Sequence, residues 1–340
     1  LGFFERPVFD VEGFLFGEAR VGRNGRSAAH DIDGVDIELR GDARGRLVGG
    51  EGEHADARHE VDHGVGIAHG RRDVIPATIV IAGIVGAIGL DKTKASPNEI
   101  LTAILKAPAE LLWFGGIGTY VRASSETNAD AGDKANDTIR VTAREVGAKV
   151  VGEGANLGMT QRARIEYGLH GGKCNSDAID NSAGVNSSDV EVNIKIALKP
   201  AMDDGTLPRP KRNKLLAEMT ETVAALVLDN NYHQTLAISL AEKRGLAILS
   251  LQQRLMEYLE ERGALDRAVE FLPDDETLDE RKAAKLGLTR PEIAIVISYS
   301  KIWLYDELLA SDVPDDPWLE ENLVEYFPTP LRQTYIKDIR

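Results

Sequence analysis

A chain of 340 residues is long enough for two domains and a sizeable buried core. Its 40 basic residues face 55 acidic ones, and the resulting net charge of −15 argues against nucleic acid or an anionic membrane as partner. The one cysteine, Cys174, excludes an intrachain disulfide and suits a reducing cytoplasm.

The chain opens on Leu1 rather than Met and stops at Arg340 inside a polar, helix-compatible stretch, so both ends read as cut. Phe3, Phe4, Glu5 and Arg6 mix charge with apolar residues and do not open a signal peptide. Before Lys92 there are ten arginines and no lysine, together with five of the seven histidines and 17 of the 33 glycines. Apart from one apolar run, no helical or alternating period is sustained there. That vocabulary is what GC-rich codons yield off-frame, so residues 1–88 are expected to be irregular and foreign to the natural sequence. Their peptides recovered from native cells by mass spectrometry would refute this.

His54, His59, His63 and His69 interleave with Asp56, Glu60 and Asp62, a donor set that suits zinc or nickel. Flanking glycines and the missing helical period favour a solvated tract, and no metal site is assigned. Residues 74–90 form an uncharged run of 17 with Pro76 and three glycines. It reads as a buried strand and turn rather than a membrane span.

From residue 90 the text becomes regular. Ser96-Pro97-Asn98-Glu99 is a capping box, opening a helix through Ile100, Ile104 and Leu105 that ends before Pro108. Residues 111–114, LLWF, read as a buried strand, and GGIGTY (115–120) as the turn at its end. Asp130, Asp133, Lys134, Asn136 and Asp137 form a polar patch, read as a solvated loop with helix caps rather than as acid or amine catalysts. Lys149-Val150-Val151 then feeds a turn with Gly152, Gly154 and Gly158 before a helix-compatible segment. That is how a dinucleotide-binding unit begins, with backbone amides offered to a ligand at a helix start. By itself this glycine pattern is unspecific. Residues 180–185, DNSAGV, read as a second small-residue turn after a strand end, about 30 residues on, as successive crossings of one parallel sheet require.

Beyond residue 208 the chain turns helical. Leu215, Met219, Val223, Leu226 and Val227 share a face; DNNY (229–232) is expected to break that helix. A further helix over 250–262 is expected to end at Gly263, and Thr289-Arg290-Pro291-Glu292 is a second capping box. DVPDDPW (312–318) marks a break before the last helix. Tyr232 and His233 are assigned to helix-start packing, Trp303, Tyr305 and Trp318 to core or interface. No catalytic cluster is read in this region.

GGIGTY, ADAGDKANDTIRV (129–141), VVGEGANLGMTQ (150–161), DAIDNSAGV (177–185) and EVNIKI (191–196) together resemble the bacterial NAD-specific glutamate dehydrogenases of the very large subunit class, over residues 90–340. The EGAN and NSAGV pair is also similar to the EGAN and NAGGV pair of the smaller glutamate dehydrogenases. The resemblance implies an α/β fold: the C-terminal half of a doubly wound dinucleotide-binding domain at 89–205, then an all-α region at 206–340. It implies NAD as cofactor, L-glutamate and 2-oxoglutarate as substrate and product, a cytoplasmic location and a homo-oligomer. By the same resemblance Gly152, Glu153, Gly154, Ala155, Asn156 and Asn181 contact the cofactor, with Asn156 near the nicotinamide ribose and Asn181 near the carboxamide. Ser188, three residues past Val185, corresponds to a serine that binds the distal carboxylate. Each is set against the common habit of Asn and Ser to bond their own backbone in turns.

The catalytic lysine and aspartate of the family lie upstream, and no matching motif occurs here. The catalytic residues are therefore unassigned, and the isolated chain is expected to be inactive. Two other readings are a non-catalytic helical assembly module, which predicts oligomers without NAD binding, and a histidine-rich metal binder. Only the dehydrogenase reading accounts for EGAN and NSAGV together.

Overall fold

The computed structural model describes residues 88–340 apart from Thr93, and the backbone at residues 8–10 and 79–80. The histidine tract and most of the 74–90 run lie outside the described residues, as does nearly all of 1–88, expected to be irregular; the exceptions are two short strands, at 8–10 and 79–80. Among the described residues, seven short strands occur in chain order: β1 (Val8–Asp10), β2 (Ile79–Val80), β3 (Lys94–Ala95), β4 (Leu111–Phe114), β5 (Val121–Arg122), β6 (Val141–Thr142) and β7 (Val150–Glu153). Strands β1, β4 and β7 form a parallel sheet with β4 in the middle. Strands β5 and β6 pair parallel beside it, and β2 and β3 pair antiparallel.

Helix α1 (Pro97–Lys106) begins as its sequence dictates. The Ser96 hydroxyl accepts from the Glu99 amide while the Glu99 carboxylate accepts from the Ser96 amide at 2.8 Å. Ile100, Leu101, Ile104 and Leu105 are buried under it, each contributing about 1.5–3 kcal/mol of transfer free energy. They join Leu112 and Phe114 of β4, Val151 of β7 and Met159 in one core. Strand β4 is not buried on both faces as expected. Leu112 and Phe114 point into the core, while Trp113 remains 37% exposed on the other side.

From Asp177 onward every element is helical: α2 (Gln161–Leu169) precedes that point, and α3 (Asp177–Asp180), α4 (Ser182–Ala197), α5 (Lys199–Asp203), α6 (Arg209–Glu218), α7 (Thr220–Arg244) and α8 (Leu246–Glu261) follow it. Helices α9 (Asp275–Ala283), α10 (Arg290–Leu309), α11 (Glu320–Tyr326), α12 (Thr329–Thr334) and α13 (Ile336–Ile339) complete the chain. One core here gathers Ile238, Met256, Leu259 and Ile293; another gathers Ile194, Leu198, Met219 and Leu331. The molecule is thus mixed α/β, with a small parallel sheet and a larger helical part.

Several local expectations hold. The Thr289 capping box forms, Gly263 follows α8 at φ +67, and residues 313–315 and 317–319 are single 3₁₀ turns within the 312–318 break. Three expectations are corrected. Residues 229–232 do not break a helix but lie inside the 25-residue α7, because Asn231 finds tertiary partners that outweigh its weak helix propensity. The interruption falls earlier, where Met219 separates α6 from α7. Residues 180–185 are not a turn after a strand but the end of α3 and the first turn of α4, with Asn181 at their junction; the strand before them reduces to a bridge between Lys173 and Val150. Tyr232 and His233 stand in mid-helix, and Tyr232 is exposed, as are Tyr305 and Trp318; Trp303 alone of the named tryptophans and tyrosines packs inward, edge-on to Tyr258. No helix among the described residues is long and apolar enough to cross a membrane, and none of their His, Cys, Asp and Glu side chains cluster as a metal site.

Candidate functional site

Strands β4 and β7 run in register from Leu111 opposite Val150 to Phe114 opposite Glu153, so their C-terminal ends lie side by side. The two glycine-bearing loops therefore leave the sheet from one edge, where parallel α/β sheets hold ligands. Cross-loop bonds fix them to each other. The Ala155 amide donates to the Phe114 carbonyl at 3.0 Å, and the Tyr120 amide to the Gly158 carbonyl at 2.9 Å. The polar patch at 130–137 clamps the first loop. The Asp133 carboxylate accepts from the Thr119 amide at 2.8 Å and from Asn136 Nδ2 at 2.6 Å, and these bonds lower its pKa. Arg140 donates to the Thr119 carbonyl at 2.8 Å and pairs with Asp137. Lys134 is exposed on the 3₁₀ turn at 134–136.

The glycines of the second loop answer first to a tryptophan. A Cβ on Gly152 would lie 2.6 Å from Trp113 Cε3, and one on Gly154 would lie 2.7 Å from Cε2 of the same ring. The indole lies flat along this backbone, which accounts for both glycines by packing.

Glu153 sits beneath the loop, 1% exposed, with both carboxylate oxygens engaged. Oε1 accepts from Arg164 Nε at 2.6 Å; Oε2 accepts from Arg164 Nη2 at 2.9 Å and from the Met159 amide at 3.2 Å. Arg164 also reaches Asp177 at 3.2 Å. Burial pushes the Glu153 carboxyl up, against the opposing pull of Arg164, and burial likewise raises Asp180. Asp180 accepts from the Glu153 amide at 3.1 Å and from Asn175 Nδ2 at 2.7 Å. Asp177 accepts from the Leu157 amide at 2.9 Å and holds Leu157 in a left-handed conformation, φ +63. Cys174 is buried and its thiol pushed up by desolvation, so it is an inert core residue.

Above this base the two motifs meet. Asn181 Nδ2 donates to Asn156 Oδ1 at 3.1 Å across 25 residues of sequence. The two side chains share an open cleft of about 540 Å³ with Leu157, Asp177, Ser182, Val185, Gln234 and Lys301. Whichever way round the two amides are drawn, one carbonyl oxygen and one amino group remain for a ligand. Gly154 and Ala155 form the strand-side approach, Gly154 half-buried and Ala155 buried. Ser188 is exposed on α4, one and two helical turns beyond Val185 and Asn181 on the same side, and outside the residues that line the cleft.

Sequence reasoning passed over the residues that hold this arrangement. Asn231 of α7 donates through Nδ2 to the Ile179 carbonyl and to Ser182 Oγ, each at 2.8 Å, pinning the junction that carries Asn181. Arg290, first residue of α10, donates to Asn175 at 3.0 Å and pairs with Glu242 at 2.8 Å. An asparagine in the middle of an otherwise good helix was the available signal for Asn231; nothing local marks Arg164 or Arg290.

Residues 57–241 match the family model described as bacterial NAD-glutamate dehydrogenase, catalytic domain, and residues 285–340 match glutamate dehydrogenase, C-terminal. The first match starts upstream of the change in composition at residue 90. An NAD-specific glutamate dehydrogenase of Pseudomonas aeruginosa is 56% identical over 242 residues, 71% of this chain and 15% of that protein. The protein of the same name from Halomonas elongata is 48% identical over 247 residues, 73% of this chain and 15% of its own length. That of Mycobacterium tuberculosis is 40% identical over 286 residues, 83% of this chain and 18% of its own. The chain thus spans less than a fifth of the length of these relatives. With more than half of its residues inside the catalytic-domain model, and with the EGAN and NSAGV motifs joined at one sheet edge, the chain belongs to the bacterial NAD-glutamate dehydrogenase family.

Proposed function

We propose that this chain is part of an NAD-dependent enzyme that oxidatively deaminates L-glutamate to 2-oxoglutarate and ammonia. Strands β4 and β7 belong, in this reading, to the C-terminal half of a doubly wound dinucleotide-binding domain over 89–205, followed by the helical region 206–340. The observation that carries it is the 3.1 Å bond between Asn156 and Asn181, which joins the two family motifs at the C-terminal edge of the sheet. The free donor and acceptor left by that pair match the acceptor and donor of a carboxamide, so the residues present fit the nicotinamide end of NAD. When bound, that ring accepts hydride from the substrate α-carbon.

This chain's own residues supply position. Asn181 orients the carboxamide, Asn156 and the Gly154–Ala155 backbone line the approach, and Gly152 lets the loop pack on Trp113. Glu153 acts through the loop, holding Met159 and Arg164 beneath it. Ser188 is assigned to the distal substrate carboxylate on the resemblance alone. The general acid–base groups belong to the remainder of the longer polypeptide, as does a homo-oligomeric assembly in the cytoplasm.

In the full-length enzyme, Asn181→Ala should lower kcat/KM for NAD by about tenfold or more, while affinity for an NAD analogue without the carboxamide stays unchanged. Equal losses for both would remove the carboxamide assignment. Glutamate-dependent NAD reduction by residues 1–340 alone should be absent.

A further inference from the structure

The far wall of the cleft comes from helices outside the EGAN and NSAGV motifs. Gln234 of α7 and Lys301 of α10 face the Asn156–Asn181 pair across the same open volume. Lys301 Nζ donates to Gln234 Oε1 at 2.7 Å, a neutral partner that aims the ammonium without neutralising it. Among the described residues no carboxylate offsets the charge of Lys301. Asp177, the one acidic side chain lining the cleft, is already committed. Its Oδ2 accepts from the Leu157 amide at 2.9 Å and lies 3.2 Å from Arg164, and its Oδ1 accepts from the Ala178 amide at 2.8 Å. Among the other described lysines some meet a carboxylate, as Lys106, Lys149 and Lys173 do, and others, such as Lys134 and Lys243, stand on the open surface without one. What sets Lys301 apart from these is its place: it lines a cleft beside the Asn156–Asn181 pair, with its ammonium held by a neutral amide.

We propose that Lys301, held by Gln234, is an anion-recognising residue of this cleft, binding a carboxylate of the dicarboxylic substrate or a phosphate of the dinucleotide. The inference rests on the cleft being the nicotinamide-side site argued above. Its chemistry is a charge-assisted hydrogen bond from an ammonium that the cleft wall has partly desolvated, which lowers the lysine pKa and which an incoming anion reverses. The placement also gives the helical region a part in the site: α10 supplies the cation, and α7 supplies the residue that orients it.

The test follows the Lys301 ¹³Cε signal and the Asn156 and Asn181 side-chain amide signals by NMR in the full 340-residue chain. NAD, 2-oxoglutarate and L-glutamate are titrated separately, with Lys301→Arg identifying the lysine signal. The expected result is a saturable shift of Lys301 together with the asparagine amides, an affinity loss of about tenfold in Lys301→Met, and near-native affinity in Lys301→Arg. A shift with 2-oxoglutarate or L-glutamate identifies the carboxylate as the source; a shift with NAD alone identifies the phosphate. Movement of the asparagine amides with Lys301 silent and Lys301→Met binding as wild type overturns the role of Lys301 and leaves the cleft assignment standing. Silence of all three residues toward every ligand overturns both. The wild-type lysine signal answers the question even if Lys301→Met does not fold.

Discussion

Around the sheet, the residues that fix the site are near neighbours in sequence. Glu153 finds Arg164 eleven residues on, and the Thr119 amide finds Asp133 after fourteen. In the helical part the ties are long: Asn231 holds Ile179 across 52 residues, and Arg290 holds Asn175 across 115. The surfaces differ as well. The sheet part covers Leu112, Phe114, Val151 and Met159 almost completely, whereas Ile302, Leu304, Tyr305 and Leu309 stand exposed along the end of α10. The loops of the sheet are thus built to keep their shape by themselves, and the cleft wall facing them is delivered from a distance. A site made this way should respond to mutation in two different manners, loss of the loop or loss of the wall.

The largest effect is expected where the loop rests on buried charge. Glu153→Gln leaves the Arg164 guanidinium, itself 4% exposed, without its bidentate partner, and should cost about 3–5 kcal/mol in urea unfolding. A loss below about 1 kcal/mol would show that the pair is not the foundation of the loop.

Next come the glycines. Gly147→Ala would place a Cβ 2.6 Å from the Ala107 carbonyl oxygen, backbone that cannot step aside, and should cost about 3 kcal/mol. Gly154→Ala meets only the partly exposed Trp113 ring, so it should cost nearer 1 kcal/mol and lose that cost in combination with Trp113→Leu. A double-mutant cycle without coupling would contradict the packing account of this motif.

On the other side of the comparison, Asn231→Ala removes two hydrogen bonds, to the Ile179 carbonyl and the Ser182 hydroxyl, for about 1–2 kcal/mol. Its distinguishing sign is local: amide exchange should quicken at Ile179 and Ser182 and stay slow in β4 and β7. Uniform quickening would mean that the two regions are not separable.

The smallest effect is a matter of pH. Lys106 and then the Thr142 amide hold the Glu145 carboxyl at about 2, below its ordinary 4.5. Because folding lowers this pKa, the stability it contributes is complete above about 4.5 and drains as pH falls toward 2. The group is 43% exposed, so solvent screening limits the contribution to below about 1 kcal/mol. Glu153 and Asp180 work in the opposite sense. Their raised values give stability that is whole below the ordinary carboxylate range and falls as pH climbs through the folded values. Comparing the acid limb of stability in Glu145→Gln with wild type separates the two: the variant should lose less between pH 4.5 and 2.

Much of the sheet part was legible because its signals are local. Ser96 with Glu99, the LLWF strand, and the run Lys149-Val150-Val151 before Gly152 each act within four or five residues. The EGAN and NSAGV words were legible too, but not their shapes. NSAGV was read as a turn because Asn, Ser and Gly favour turns, yet its backbone is helical with Asn231 holding the Ser182 hydroxyl from α7. The same asparagine misled twice, since DNNY suggested an interruption that its tertiary bonds override. Glycine spacing also pointed past its first cause, for the ring of Trp113 was not predictable as the object lying on Gly152 and Gly154. Gln234 and Lys301 were invisible in principle: two polar residues on separate helices become neighbours only when α7 and α10 pack.

The 115-residue reach from Arg290 back to Asn175 has a consequence for how the molecule comes into being. During synthesis the chain leaves the ribosome at about 5–20 residues per second, so Asn175 waits about 6–23 s for the arginine that will hold it. Throughout that interval β4 and β7 can already pair, while the wall carrying Gln234 and Lys301 is still being made. The cleft is therefore the last part of this region to close, and a stall in translation before residue 290 would leave a folded sheet with an unfinished edge.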